Sequence, residues 1–464
     1  MAMGKRKDRQ GDLFVATDAL QGPGHPFYDA VGRVLDEHGF DAFVEELCAP
    51  FYAERRGRPS LPPGIYFRML FIGYFEGIGS ERELAWRCSD SLSLRRFMGL
   101  GLSDRVPDHS TLSVIRDRLD PGVYDEVFRF VLRMLDEAGL VKGRKIGVDS
   151  SLIEANASMR TIQRKDDGRS YRQYVKDLAT DVQGRAASSA DAKRVDRRRP
   201  KKTSNRDWEA PADPDARITR MKNGSTRLAY KSEHAIDLES GVVLAATLNR
   251  ADESDHATMP ETLDELEFNF ERLDREIEGA TIVADKGYHS DAALERCELD
   301  GLHACIAEPK QSKKRNWSSK KDGDERRRRC YANRRRLGRQ KGRDLMRRRQ
   351  TEVERSFAHI AHRGDWHRTH LRGRENVWKR YLIQVAAHNI GIMLRAIVGA
   401  ATPKALAAAG RRLFDAMINF MTLIGLITIP KTPRSRWARS IEFHRPHRTP
   451  RSSAVRKGSS STAC

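Results

Sequence analysis

Three acidic residues stand where strands and a helix could bring carboxylates together. Asp285 directly follows Thr281-Ile282-Val283-Ala284, a short apolar run with β-branched residues at its centre, and precedes Lys286, Gly287 and Tyr288. Such a run reads as a buried strand, parallel to a neighbour, and catalytic groups of open α/β sheets collect at strand ends. Asp and Gly equally suit a plain turn, so this stretch alone leaves both readings open. Asp149 lies in a second strand-like run, Lys145-Ile146-Gly147-Val148-Asp149-Ser150. Glu354 lies in a helical stretch, Glu352 to Ala361. Turning about 100° per residue groups Val353, Phe357, Ala358, Ile360 and Ala361 on one face, with Glu354 inside the arc and Glu352 nearly opposite. A carboxylate set in an apolar face needs a partner, either an arginine or a divalent cation.

Converging carboxylates raise one another's pKa unless a cation balances them. Hard oxygen donors in small number suit Mg²⁺, with Mn²⁺ as substitute; such an ion keeps waters and completes its shell from substrate phosphates. Two ions roughly 4 Å apart activate a water or hydroxyl and stabilise the leaving oxygen of a phosphodiester. If the helix does not supply the third ligand, Asp252 and Asp255 are the next candidates.

The elements that must position these acids follow from periodicity. Residues 1–20 are basic and polar, and mobility is expected there. From Pro26 to about Leu140 the pattern is helical, with segments at Pro62–Phe75, Glu81–Arg87, Leu92–Met98, a helix introduced by Val106-Pro107-Asp108-His109-Ser110, and Gly122–Ala138. This region reads as a bundle or as a helix-turn-helix-like DNA binder. A strand carries Asp149. Residues 160–214, rich in Arg, Lys, Asp and Ser, read as an insert or mobile loop. Strands follow at Arg227–Leu238 and Val242–Leu248, joined by Glu239-Ser240-Gly241, then helix-like sequence at Met259–Glu278, the Thr281 strand, a helix at Asp291–Leu299 and a strand at His303–Ala307. Late apolar stretches at Tyr381–Gly399 and Ala416–Pro430 read as packed segments and not as membrane spans. Beyond Lys431 a Pro/Arg/Ser-rich tail reads as disordered.

Composition bounds the partner. The 464 residues include 85 Lys+Arg against 64 Asp+Glu, a formal net charge of +21. That surplus favours a polyanion, nucleic acid first. Residues 310–349 alone hold 19 lysines and arginines against four acids (Asp322, Asp324, Glu325 and Asp344). Six scattered cysteines without a Cys-x-x-Cys pair indicate neither a zinc site nor a disulfide framework and suit a reducing cytosol. The stretch MAMGKRKDRQGDLF has no apolar core of signal-peptide length.

Taken in order, these motifs resemble the DDE transposases of bacterial insertion sequences. GVDSSLIEANAS at 147–158 is similar to the segment with the family's first Asp, mapping to Asp149. DPDARITR at 213–220 resembles the segment between the first two acids. ADKGY at 284–288 resembles the second-Asp segment, mapping to Asp285. VERSFAHI at 353–360 resembles the third, mapping to Glu354, with LRGRENVWKRYLIQVAAHNIG behind it. The stretch from Pro59 to Leu119 is similar to the helical module that precedes this core. At the family's Tyr, Arg and Lys spacing around the Glu stand Arg347, Gln350 and Ala361 instead, so those auxiliary roles are not carried over.

The resemblance implies a ribonuclease-H-like mixed sheet flanked by helices (141–400), preceded by an all-α DNA-binding region (21–140) and followed by an extension (401–464). It implies Mg²⁺ held by Asp149, Asp285 and Glu354, cleavage at element ends, and strand transfer to target DNA. Lys286, Arg348, Arg349, Arg355, Arg372 and Arg374 are the candidate DNA contacts. The expected partners are double-stranded DNA, as terminal repeats and target, and a second copy of the chain on paired ends, in the bacterial cytoplasm without a membrane. A ribonuclease-H-like nuclease without strand transfer, and a catalytically silent DNA-binding protein, are the alternatives.

Overall fold

The strand holding Asp149 is the centre of the sheet. In the computed structural model, residues 24–53, 60–199, 202–310 and 322–409 are described, together with Met3 and Trp317. The expected mobile N-terminus (apart from Met3), the apolar stretch at Ala416–Pro430 and the expected disordered tail lie outside the described residues.

Seven helices come first: α1 (Pro26–Glu37), α2 (Phe40–Cys48), α3 (Pro63–Glu76), α4 (Glu81–Ser89), α5 (Leu92–Phe97), α6 (His109–Arg118) and α7 (Pro121–Glu137). Local chemistry sets their ends. Asp108 caps α6 by accepting from the Thr111 N–H at 2.8 Å, Asp120 caps α7 ahead of a proline at its first position, and Gly77 stops α3 at a positive φ of 75°.

Strand β1 (Lys145–Glu154) follows, then the insert with β2 (Gln163–Arg164), α8 (Tyr171–Gln183), α9 (Ser189–Arg198) and β3 (Trp208–Glu209). The insert differs from the mobile loop expected: α8 and α9 pack together, β2 pairs with β3, and Trp208 is buried against Tyr171 and Tyr174. A few aromatic residues suffice to build a small core that overall polarity concealed. Next come β4 (Arg217–Arg220), β5 (Thr226–Asp237), β6 (Val243–Arg250), α10 (Asp255–Glu271), β7 (Thr281–Ala284), α11 (Asp291–Leu299), β8 (His303–Ile306), α12 (Gly323–Gly338), α13 (Gln340–Arg363) and α14 (Arg374–Val398). Helix α10 starts four residues before the sequence suggested, with Ser254 at its N-cap position.

The sheet runs β4-β5-β1-β7-β8, with β6 also on β5. The long β5 pairs with β4 along its first residues and with β6 along the rest. It is antiparallel to β1, whereas β1, β7 and β8 are mutually parallel. Helices cover both faces. Glu233 of β5 bonds Thr258 and Thr262 of α10, while its neighbour His234 bonds Ser356 of α13; successive strand residues point to opposite faces. This is the ribonuclease-H-like mixed sheet, and the helical region precedes it.

Helix α14 joins the two parts. Its Asn389 side chain bonds both backbone groups of Val243 in β6, at 3.0 and 2.8 Å. Toward the N-terminal helices, Lys379 donates to the Arg116 carbonyl, Arg380 to the Ile78 carbonyl, and His388 meets the Tyr74 hydroxyl. Tyr381, Leu382, Ile383, Val385, Ile390 and Leu394 are buried along it, each contributing roughly 1.5–3 kcal/mol as an upper figure. Its apolar length therefore serves an interior position.

Candidate active site

Register brings two of the acids level. β1 and β7 are parallel, with Ile146 opposite Ile282 and Gly147 opposite Val283. Two residues further on, this places Asp149 beside Asp285, at the carboxyl end of β7. Asp285 begins a short 3-10 turn, Lys286–Tyr288, and caps it by accepting from the Gly287 N–H at 2.8 Å. One oxygen of Asp149 accepts from the Ser150 N–H at 2.9 Å; the other meets Nη2 of Arg349 at 2.8 Å. Burial raises the Asp149 pKa and nearby Asp285 raises it further, while Arg349 and the Ser150 N–H oppose them.

A fourth carboxylate lies close by. Asp255, at the start of α10, meets Nζ of Lys231 at 2.7 Å and the Ser150 hydroxyl at 3.0 Å, both through Oδ1. Its Oδ2 faces the Asp285 turn: a Cβ built on Gly287 would collide with it, and would stand 3.1 Å from Oδ1 of Asp285. Beneath them Glu233, fully buried, accepts hydroxyls from Thr258 (2.7 Å), Thr262 (2.6 Å) and Tyr288 (2.9 Å). Burial raises the Glu233 pKa, against these hydroxyls and Lys231. Tyr288, the last residue of the Asp285 turn, is thereby tied to β5. A polar Lys231-Ser232-Glu233-His234 run inside an otherwise apolar strand was the one sequence signal for this layer.

The third acid is placed differently from the sequence expectation. The buried seam of α13 is Gly342, Arg349, Val353, Ser356 and Ile360; Ala358 and Glu354 are exposed. Glu354 is therefore not set in the apolar face. Apolar side chains alone misplace the phase, because Arg349 and Ser356 are buried through polar contacts. Glu352 is half-buried and paired with Arg355 at 2.9 Å.

Helix α13 crosses the strands. Arg349 lies over Val148 and Asp149 of β1, and Ser356 reaches His234 of β5. On one flank, Arg348 donates to the Glu239 carbonyl and Glu352 lies beside Gly241, at the turn after β5. That turn is at the amino end of β1, because Asp237 pairs with Ile146. Glu354, about 200° round the helix from Glu352, lies on the opposite flank of α13 and is exposed. One turn on, Phe357 stacks on His234 at 4.1 Å between centroids; burial holds that imidazole neutral, its pKa pushed down to about 3.

Among the described residues, the one set of three His, Cys, Asp or Glu donors whose ligand atoms all lie within 4.8 Å of one another is His289, Glu308 and Cys330. There Glu308 is gripped by Arg334 at 2.6 and 2.8 Å. Asp149, Asp285 and Glu354 stand wider apart than that.

Of the candidate DNA contacts, Arg349 is a correction: it is buried and spent on Asp149. Lys286 is exposed in the Asp285 turn. Arg355 pairs with Glu352, and Arg348 bonds the Glu239 carbonyl. Arg372 reaches the Asn156 carbonyl just past the end of β1, and Arg374 the Leu248 carbonyl, both remaining exposed.

Residues 15–118 match a family model described as a transposase domain (DUF772), and residues 183–390 match the transposase DDE domain. The chain belongs to the DDE transposases. Asp285 and Glu354 fall inside the second match, and Asp149 precedes it. Among solved structures, this transposase is similar to a piggyBac transposase synaptic complex with hairpin DNA, at 10% identity over 88% of this chain and 83% of that one, with a TM-score of 0.34. It is also similar to a Mos1 transposase paired-end complex with the left transposon end, at 9% identity over 70% and 87%, with a TM-score of 0.18. No curated protein matches. DDE transposase domains generally use divalent metal ions, and the donor set fits one: hard carboxylate oxygens, two of them level on adjacent strands, with the half-buried Asp149 raised in pKa.

Proposed function

We propose that this transposase cuts DNA at the ends of a mobile element and joins the freed ends to target DNA, with Asp149, Asp285 and Glu354 holding Mg²⁺. The observation that carries the reading is the level placement of Asp149 and Asp285 on parallel neighbours; Glu354, on the flank of α13 opposite Glu352, is the third ligand in this reading. When bound, the ion lowers the pKa of a water and stabilises charge on the leaving oxygen. The water oxygen bonds to phosphorus as the bond to the 3′ oxygen breaks, leaving a 3′-hydroxyl and a 5′-phosphate. That hydroxyl then attacks a target phosphodiester, forming one P–O bond and breaking another, with its proton passing to solvent. Lys231 and Arg349 keep Asp255 and Asp149 compensated before the ion arrives. Lys286, Arg372 and Arg374, exposed near this end of the sheet, supply phosphate contacts, and two copies of the chain hold the paired ends.

The test is incubation with Mg²⁺, labelled terminal-repeat DNA and a plasmid target. Joined products are expected with Mg²⁺ or Mn²⁺; Ca²⁺ should support binding with little cutting, because its looser shell places the reactive oxygens poorly. Undiminished cutting in excess chelator, or by Asp285→Asn, refutes the reading.

A further inference from the structure

Arg349 is the residue whose placement asks for an explanation. It is an arginine in the buried seam of α13, 6% exposed, where its neighbours in the seam are Gly342, Val353, Ser356 and Ile360. Its stem lies against β1: a Cβ built on Gly147 would stand 3.2 Å from its Cγ. Its Nε donates to the Val148 carbonyl at 3.3 Å, and its Nη2 reaches Oδ2 of Asp149 at 2.8 Å. The other oxygen of Asp149 accepts the Ser150 N–H. Among the described residues no cation pairs with Asp285, whose Oδ1 accepts a backbone N–H from Gly287. Asp255 has Lys231. A charge taken largely out of water and left uncompensated is costly; the buried guanidinium of Arg349 and the half-buried carboxylate of Asp149 meet that need for each other.

We propose that Arg349 is a resident counter-ion of the metal site, holding Asp149 until a divalent cation displaces it. The inference rests on the reading that Asp149 binds that cation. A dication on Asp149 Oδ2 and a guanidinium 2.8 Å from the same oxygen repel each other. A cation that takes this oxygen therefore opens the Arg349–Asp149 pair, and its affinity is lowered by the free energy of that pair. The same contact stabilises the metal-free fold, because it anchors α13 to β1. Arg349 thus couples the loading of the site to the seating of the helix that carries Glu354, five residues further along.

The two consequences have opposite signs, which makes the test sharp. Mn²⁺ binding is measured by the electron paramagnetic resonance signal of the free ion, and melting temperature is recorded with and without Mn²⁺, for the parent, Arg349→Gln, Arg349→Lys and Asp149→Asn. Arg349→Gln should bind Mn²⁺ at least about tenfold tighter, the direction set by removing one opposing charge at contact distance. It should also melt lower without metal and show a larger rise on adding Mn²⁺. If Arg349→Gln does not fold, Arg349→Lys carries the test, its shorter stem weakening the pair and again tightening Mn²⁺ binding. Affinity unchanged or weaker in the folded variants, with binding lost in Asp149→Asn, overturns the inference and leaves the metal reading standing. Parent-like binding by Asp149→Asn instead removes the metal reading, and the counter-ion role with it.

Discussion

Gly287→Ala tests how tightly the Asp285 turn is held. The glycine is not required by the backbone, since Gly287 is not among the positive-φ residues, so the methyl group acts through contact alone. That methyl would fall inside the Asp255 carboxylate and 3.1 Å from Oδ1 of Asp285, more than about 1 Å short of normal contact on the Asp255 side. Asp255 is anchored at 2.7 Å by Lys231 and at 3.0 Å by Ser150, so the turn gives way instead. Asp285 moves with it, because it caps the Gly287 N–H. Overpacking of this kind costs about 1–3 kcal/mol of stability. A displacement of about 1 Å at a reacting group costs roughly 10²-fold in rate, or about 2.7 kcal/mol on the barrier. The assay is single-turnover cleavage of labelled terminal-repeat DNA, with a thermal melt of the same sample. Asp255→Ala removes the obstacle but unpairs the buried Lys231, so the expected sign is coupling: Gly287→Ala should cost less stability in the Asp255→Ala background than in the parent. Cleavage by Gly287→Ala within about threefold of the parent, under about 1 kcal/mol, would show that the turn is not packed against Asp255 in the working enzyme.

Glu354→Gln should abolish cleavage and joining while shifting stability by under about 0.5 kcal/mol, because Glu354 is exposed; Glu352→Gln loses only the pair with Arg355, about 0–1 kcal/mol, and should cut normally. Turnover and melting of the two side by side decide it, and an active Glu354→Gln excludes the third ligand. Burial lifts the Asp125 carboxyl from 3.8 to about 7, only partly opposed by Arg129. The folded state then keeps a proton that the unfolded chain has released, so stability falls as pH rises from about 4 to about 7 and levels off above. Asp125→Asn should lose that slope and melt higher than the parent above pH 7; parallel melting curves across pH would refute the assignment. Arg335, Arg339 and Lys341 are exposed, and neutralising each should flatten the log–log salt dependence of DNA affinity by about 0.9. Arg334→Gln should instead lower the melting temperature by breaking its grip on Glu308, and an unchanged slope in the first set would rule out phosphate contacts there.

Much of the frame was legible because local signals agreed with it. The Thr281–Ala284 strand and the Asp291–Leu299 helix have the limits read from the sequence, since an apolar run or a Ser290 cap marks each edge. The phase of α13 was not legible. Arg349 looks like one charge among many until β1 supplies Asp149, and that pairing joins residues 200 positions apart in the chain. Asp255 could be only a reserve candidate for the same reason: its partner Lys231 sits on β5, and the turn it touches follows β7. In the 310–349 stretch charge density was obvious, but its division was not. Arg329 and Arg334 are bound to acids of α11 and of the segment after β8, while Arg335 and Arg339 face solvent.

Helix α14 clamps a sheet strand with Asn389 and the N-terminal helices with Lys379, Arg380 and His388. A chain built this way has no seam at which one half could be exchanged for that of a relative. A shuffled N-terminal half would arrive without the contacts that α14 requires, so change in those helices must come by point substitution on their exposed faces. The exposed faces of the N-terminal helices should therefore drift freely, while the residues lining α14 change together on both sides.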